Sequence, residues 1–210
     1  DQSDIVWKTG ARSHEVAPSH TQSTTRWSRL RIISIVGSKN SGKTTTIEYL
    51  VRQLSNKGLK VGSAKHMHDF GASIDQPRKD TGRHASAGSR VVVAVAPTEL
   101  ALIRKMDTSR FTLEALSELL GAQKLDVLLL EGFHTEVSRR SDVVKIITAK
   151  DERDALDRLE GTSAPVLAIT GVISAREHPS QIAGIRVVDL DDNGQTLTDE
   201  IAALVKPTDS

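Results

Sequence analysis

Residues 31–50, RIISIVGSKNSGKTTTIEYL, decide the fold of this 210-residue chain. The stretch opens with a short run rich in β-branched residues, passes through a glycine-containing turn and continues into an amphipathic segment. Apolar residues of that segment recur at spacings of three and four, which predicts one buried helix stripe formed by Ile47, Leu50, Val51 and Leu54. Gly58 is a natural stop for this helix. The predicted order is strand, loop, helix.

The loop of this unit is GSKNSGKT, residues 37–44, which matches the phosphate-loop pattern GxxxxGK[ST] in full. Glycines let the backbone curl so that its amides point inward, and the start of the helix adds partial positive charge; both features suit a polyphosphate. Lys43 is expected to reach the terminal phosphates, and the Thr44 hydroxyl to join a phosphate-bound Mg²⁺. The predicted nucleotide-binding residues are Gly37, Lys39, Asn40, Ser41, Gly42, Lys43, Thr44 and Thr45.

A nucleotide site of this kind also needs an acid to hold Mg²⁺ or its water. Glu131 follows the apolar run VLLL, so it is predicted to lie at the carboxyl end of a buried strand, facing the crevice. Asp75 and Asp80 in the long loop after His66 are the preferred additional ligands, with Asp69 a further candidate. Turn capping is the alternative role for each loop aspartate. The predicted metal ligands are Thr44, Glu131, Asp75 and Asp80.

Two histidines suggest a different metal chemistry. His66 and His68 lie two residues apart, which on a strand puts both side chains on one face, where Glu131 or His134 could complete a site. Such a site would suit a GTPase that delivers Ni²⁺ or Zn²⁺. The chain has no cysteine, which counts against that function and excludes disulfides and thiolate metal sites.

The rest of the chain alternates strand and helix patterns. Strand candidates begin at Leu59, Val91, Val127, Val143 and Pro165, with helices expected near Asp80, from Thr112, over DERDALDRLE and from about Leu197 to Val205. This alternation predicts an α/β fold: a three-layer P-loop NTPase architecture whose mostly parallel sheet is covered by helices on both faces. Residues 1–30 are polar and rich in Ser and Thr, so we expect a flexible extension there and one nucleotide-binding domain over 31–210.

The amino-acid composition argues against nucleic acids and membranes as binding partners. There are 28 Lys and Arg against 27 Asp and Glu, a net charge of +1, so no field favours nucleic acid or an anionic membrane. Aromatic residues make up 3%, too few for base-stacking platforms. The longest apolar runs are far below the roughly 20 residues that cross a bilayer. We therefore expect a soluble, cytoplasmic protein.

Four segments together resemble the MobB family, molybdopterin-guanine dinucleotide biosynthesis protein B. They are GSKNSGKTT from Gly37, AKHMHD from Ala64, DQPRKDTGRHASAG from Asp75 and LLLEGFH from Leu128. The resemblance runs from about Arg31 to Thr170, and the combination is specific where the phosphate loop alone is not. Two positions depart from the family pattern: Arg78 stands where Gly is usual, and His134 where Lys commonly follows Glu-Gly-Phe.

The resemblance implies a homodimeric P-loop protein that binds GTP with Mg²⁺ and has weak GTPase activity at most. It also implies a role assisting the guanylyltransferase that attaches GMP to molybdopterin, with molybdopterin-carrying proteins as further partners. Lys65 and His66 would line the family's loop motif. GTP over ATP rests on this resemblance, because a guanine-reading Asn-Lys-x-Asp motif is absent.

Two other classes remain open from the residues alone: the metal-delivering GTPase and a small-molecule kinase that uses the same phosphate loop. A kinase would need an acceptor pocket, and no Arg-rich lid is evident. Hydrolysis is expected to be slow, since Arg78, Arg83 and Arg90 could neutralise a transition state only if the long loop closes or a partner arrives.

Overall fold

Five parallel strands form the central sheet. A computed structural model of the chain describes residues 30–67, 74–76, 78–109, 111–177 and 179–205. The sheet strands are β1 (Arg31–Gly37), β2 (Val61–Lys65), β5 (Val127–Glu131), β6 (Val144–Thr148) and β7 (Val166–Thr170). They lie in the order β2-β5-β1-β6-β7, and each neighbouring pair is parallel. The phosphate-loop strand β1 therefore sits at the centre, between β5 and β6.

Helices connect these strands and cover the sheet. They are α1 (Lys43–Asn56), α2 (Asp80–Ser86), α3 (Leu113–Leu120), α4 (His134–Val137), α5 (Glu152–Glu160), α6 (Val172–Arg176) and α7 (Gly194–Val205), with a short 3₁₀ helix at Gly121–Gln123. The helices predicted near Asp80, from Thr112 and over residues 151–160 are confirmed. The last helix begins at Gly194, earlier than the expected Leu197.

Alternate side chains of β1 pack on opposite faces of the sheet. Ile33 and Ile35 are buried in one apolar cluster with residues of α1 and α7. Ile32 and Val36 are buried in a second cluster on the other face, with residues of α3 and α4. Both faces are thus covered by helices, which confirms the predicted three-layer α/β architecture.

The helix α1 packs as its spacing predicts. Leu50 and Leu54 are fully buried, and Ile47 and Val51 pack against the same cluster. The helix ends at Asn56, and Gly58 then adopts a φ of 80°, a conformation that favours glycine. The sequence interpretation of this first strand, loop and helix is confirmed.

Within the described residues, two small antiparallel hairpins form sheets of their own beside the main sheet. One pairs β3 (Val91–Val95) with β4 (Leu100–Arg104), and the other pairs β8 (Gln181–Ile182) with β9 (Ile185–Arg186). In the first hairpin, Val93 lies opposite Leu102 and Val95 opposite Leu100, and all four side chains are exposed. This hairpin presents an apolar face to solvent, which we call the hairpin face.

The helices that the structure describes include none that combines the length and the apolar character needed to cross a membrane. The predicted extension over residues 1–30 falls outside the described residues except for Leu30.

Candidate functional site

The phosphate loop lies at the carboxyl edge of the sheet, between β1 and α1. Two of its residues have a left-handed backbone, Asn40 with a φ of 61° and Gly42 with a φ of 104°. Lys43 is the first residue of α1, and its Nζ donates to the carbonyls of Gly37 at 3.0 Å and Ser38 at 2.5 Å. The lysine is therefore folded back over the loop, where a phosphate could take the place of the two carbonyls as its partner.

The loop is fastened to the ends of β6 and β7. The Ser41 and Thr148 hydroxyls are 2.6 Å apart and buried, and Ser41 Oγ also donates to the Ser38 carbonyl at 2.9 Å. The Ser41 carbonyl accepts from the Val172 N–H at 3.2 Å. A Cβ on Gly171 would lie 2.1 Å from that carbonyl oxygen. The packing of the phosphate loop against the end of β7 thus requires a glycine at position 171.

Helix α5 also contacts the phosphate loop, through hydrogen bonds of Asp154. Ser38 Oγ donates to Asp154 Oδ2 at 2.7 Å, and the same oxygen accepts from the Lys150 N–H at 3.0 Å. Asp151 caps this helix by accepting from the Asp154 N–H at 2.9 Å. The segment after β6 thereby fixes the first turn of the phosphate loop.

Glu131 ends β5 and faces the start of α1. Its side chain is 12% exposed, and its Oε1 accepts from Thr44 Oγ1 at 3.4 Å and from Lys65 Nζ at 3.0 Å. The structure therefore brings together Thr44 and Glu131, two of the four predicted metal ligands. A hydroxyl and a carboxylate oxygen that share one point suit Mg²⁺, a cation that prefers oxygen ligands.

The two loop aspartates make other contacts. Asp75 Oδ1 accepts from Thr81 Oγ1 at 3.1 Å. The Asp80 side chain is 87% exposed and lies 3.5 Å from Arg83 on the same helix. Neither of these contacts reaches Thr44 or Glu131, so a ligand role for Asp75 and Asp80 stays a prediction. Asp69 lies outside the described residues.

The predicted histidine metal site is described only in part, because His68 falls outside the described residues. His66 Nδ1 lies 3.4 Å from Glu136 Oε1, and its ring centroid is 5.3 Å from that of Phe133. Within the part of the chain that the structure describes, no group of three or more His, Asp or Glu side chains is arranged to hold a metal ion.

The charges around Lys43 oppose one another. Burial lowers the pKa of the Lys43 amine, the charge of Glu131 raises it, and the charges of Lys65 and Arg158 lower it. A bound polyphosphate would stabilise the protonated amine and so raise this pKa. The site is therefore prepared for an anion that neutralises several neighbouring cations.

Sequence reasoning missed Arg158 and its position near both Lys43 and His134. The charge of Arg158 lowers the pKa of Lys43, and burial together with Arg158 lowers the pKa of the His134 imidazole. Arg158 Nε and His134 Nε2 are both buried without a hydrogen-bond partner in the described ranges. Asp154 and Arg158 are four residues apart on α5, a spacing that puts them on one face and could have signalled their shared position beside the loop.

A comparison with protein families identifies the chain. Residues 32–166 match the family model described as "Molybdopterin guanine dinucleotide synthesis protein B". The chain belongs to the MobB family. Membership supports the resemblance drawn from the four sequence segments, and it favours neither the metal-delivering GTPase nor the kinase.

Relatives and a solved structure agree with MobB membership. A Bacillus subtilis protein named as a probable molybdopterin-guanine dinucleotide biosynthesis adapter protein is 31% identical over 165 residues, covering 77% of this chain and 86% of that one. A Methanocaldococcus jannaschii protein named for the same biosynthesis is 30% identical over 138 residues, covering 66% of this chain but 55% of that one. The crystal structure of Bacillus subtilis MobB has a TM-score of 0.62 and 27% identity, covering 84% of this chain and 99% of that one.

Proposed function

We propose that this MobB-family chain is a GTP-binding adapter protein in molybdopterin-guanine dinucleotide biosynthesis. In this role it assists the guanylyltransferase that joins GMP to molybdopterin, and it also meets molybdopterin-carrying proteins. The name of the Bacillus subtilis relative and the description of the family support the role. Its place is the cytoplasm, and its working unit is one nucleotide-binding domain over residues 31–210.

The observation that carries the proposal is the meeting of the phosphate loop with Glu131 at the carboxyl edge of the sheet. The nucleotide binds the loop over residues 37–45, and Lys43 leaves the carbonyls of Gly37 and Ser38 for the terminal phosphates. Thr44 and Glu131 would hold Mg²⁺, which would neutralise phosphate charge, and we expect Asp75 and Asp80 to be its further ligands.

Any hydrolysis of GTP by this site is slow. Arg78, Arg83 and Arg90 are exposed, and Arg83 is paired with Asp80 rather than directed by a contact to the phosphate loop. Fast P-loop enzymes place an arginine and a water-positioning group on the transferred phosphoryl group. An adapter that holds nucleotide for a partner enzyme does not need that machinery.

The adapter acts as a homodimer joined through the hairpin face. Val91, Val93, Val95, Leu100 and Leu102 are all exposed large hydrophobic residues of one hairpin. Contiguous apolar surface of this kind is typical of an interaction site. A second copy of the chain is the partner that accords with the family resemblance.

Reconstitution tests the function. Purified guanylyltransferase, molybdopterin and GTP are incubated with and without this chain, and dinucleotide formation is followed by chromatography. We expect the chain to raise the initial rate and Lys43→Ala to abolish that increase. A rate that stays the same with the wild-type chain would contradict the adapter role, and full stimulation by Lys43→Ala would show that the nucleotide site is not used.

A further inference from the structure

Lys65 contacts Glu131, the carboxylate that is proposed to hold Mg²⁺. The two residues end neighbouring strands and lie side by side in the register of β2 and β5. Lys65 Nζ lies 3.0 Å from Glu131 Oε1, the oxygen that also accepts from Thr44. One carboxylate oxygen thus accepts from both an ammonium group and a hydroxyl group.

The Lys65 ammonium and a metal ion would compete for Glu131 Oε1. Mg²⁺ needs its ligand oxygens at about 2.1 Å, and two cations that approach so near would repel each other. The Lys65 side chain is 57% exposed whereas that of Glu131 is 12% exposed. The lysine is therefore the member of the pair that is free to move.

Lys65 also lies close to the phosphate loop. The positive charge of Lys65 lies near enough to Lys43 to lower the pKa of the phosphate-loop amine. Lys65 approaches from the β5 side of β1, whereas Arg158 follows β6 on the other side. A terminal phosphate in the loop would lie between cations that come from two sides of the central strand.

We propose that Lys65 is a second phosphate-binding lysine, which pairs with Glu131 in the nucleotide-free chain and moves to the terminal phosphate when Mg²⁺ takes Glu131. This inference rests on the proposed function. This exchange couples the binding of Mg²⁺ to the presence of a terminal phosphate. A nucleoside diphosphate lacks that phosphate, so the displaced Lys65 would have no new partner. By reciprocity, the triphosphate strengthens metal binding and the metal strengthens selection of triphosphate over diphosphate.

The inference predicts two opposite effects of Lys65→Met. The nucleotide-free variant binds the probe Mn²⁺, followed by electron paramagnetic resonance, about two- to fivefold more tightly than the wild type, because the competing ion pair is gone. The same variant loses about tenfold of the preference for GTP over GDP in the presence of Mg²⁺, because a charged hydrogen bond to the terminal phosphate is lost. A merely structural lysine would not move the two quantities in opposite directions.

Three controls sharpen the test. Lys60→Met removes the lysine that immediately precedes β2, and we expect no change in either quantity. Lys65→Arg keeps the positive charge and retains most of the GTP preference. In a Glu131→Gln background, Lys65→Met no longer tightens Mn²⁺ binding, since the carboxylate for which lysine and metal compete is absent.

The results distinguish a wrong role for Lys65 from a wrong proposed function. If the wild type binds GTP with Mg²⁺ but Lys65→Met equals the wild type in both measurements, or weakens Mn²⁺ binding, the role of Lys65 is wrong and the proposed function stands. If the wild type binds no nucleotide, both fail. Unchanged thermal unfolding of Lys65→Met, expected from the exposure of this side chain, verifies that the variant is folded.

Discussion

Gly171 shows how a single backbone position decides whether the phosphate loop can form. Its φ is 100° and its ψ is −149°, a region that is open to glycine and closed to other residues. The residue also lies directly against Ser41, where a side chain would meet the loop carbonyl. The strand β7 is thereby linked to nucleotide binding although none of its residues belongs to the phosphate-loop motif.

Gly171→Ala is expected to weaken nucleotide binding and to destabilise the fold by about 3 kcal/mol or more, because strain adds to a clash with backbone. Gly184→Ala is the control: its φ is also positive, at 77°, but no atom lies within 4 Å of the added Cβ. That change should cost about 1 kcal/mol. Denaturant unfolding measures both. Equal losses for the two variants would contradict the role of Gly171 as the seat of the loop.

Glu131→Gln tests the metal site at the same scale. Because the variant keeps the shape of the side chain but loses its charge, we expect nucleotide binding with Mg²⁺ to weaken about 10- to 100-fold and binding without Mg²⁺ to change little. The control is Asp126, which immediately precedes β5 and whose carboxylate accepts from the Lys60 N–H. Asp126→Asn should leave both affinities unchanged. Equal weakening with and without Mg²⁺ would return Glu131 to a structural role.

At the scale of elements, Arg140 joins α3 to the segment before β6. It donates to Glu114 at 2.6 Å and to Asp142 at 2.7 Å and 3.0 Å. These hydrogen bonds from Arg140 lower the pKa of both carboxyl groups. A carboxyl whose pKa is lowered on folding stabilises the fold above its unfolded pKa of about 4, and this contribution is lost as the pH falls through the lowered value.

Arg140→Met should therefore reduce the free energy of unfolding by about 1 kcal/mol at neutral pH, a modest value because both carboxylates are largely exposed. The difference from the wild type should shrink as the pH falls below about 4. Arg139→Met, which removes an exposed neighbour, is the control. Urea unfolding across this pH range decides the matter, and a difference that does not depend on pH would refute the ionic origin.

The elements that the sequence predicts best are those whose pattern is long and local. The helix α1 has a full apolar stripe and a glycine stop, and α3 has a threonine cap, since Thr112 Oγ1 accepts from the Ala115 N–H. The helices α4 and α6 span four and five residues, too few to develop a helical period in the sequence.

Some residues of the candidate site could likewise be predicted from local sequence, and others could not. Lys43 and Thr44 follow from a contiguous motif, and Glu131 from its place after a buried strand. Arg158 and Asp154 reach the site only because β6 lies next to β1, a neighbour relation that local sequence does not encode. The contact of Asp75 with Thr81 depends likewise on how the chain before α2 folds, whereas Asp80 and Arg83 form a local i, i+3 pair within α2.

At the scale of the whole molecule, the hairpin face predicts self-association. Val93 and Leu102 are directly opposed and about half exposed, so Val93→Ser with Leu102→Ser removes the centre of the face while leaving the buried Val92 in place. We expect the wild type to sediment as a dimer and the double variant as a monomer in analytical ultracentrifugation. Leu119→Ser, an exposed apolar residue on α3, is the control and should remain dimeric. A dimer that survives the double change would exclude this face as the interface.

We propose above all that the phosphate loop and Glu131 form a Mg²⁺-dependent site for GTP. The most direct test is a calorimetric titration of the purified chain with GTP and with ATP, each in the presence and absence of Mg²⁺. We expect binding at one site per chain, tighter with Mg²⁺ than without it and tighter for GTP than for ATP. A preference for ATP would contradict the guanine-nucleotide role, and the absence of heat with either nucleotide would contradict the nucleotide site itself.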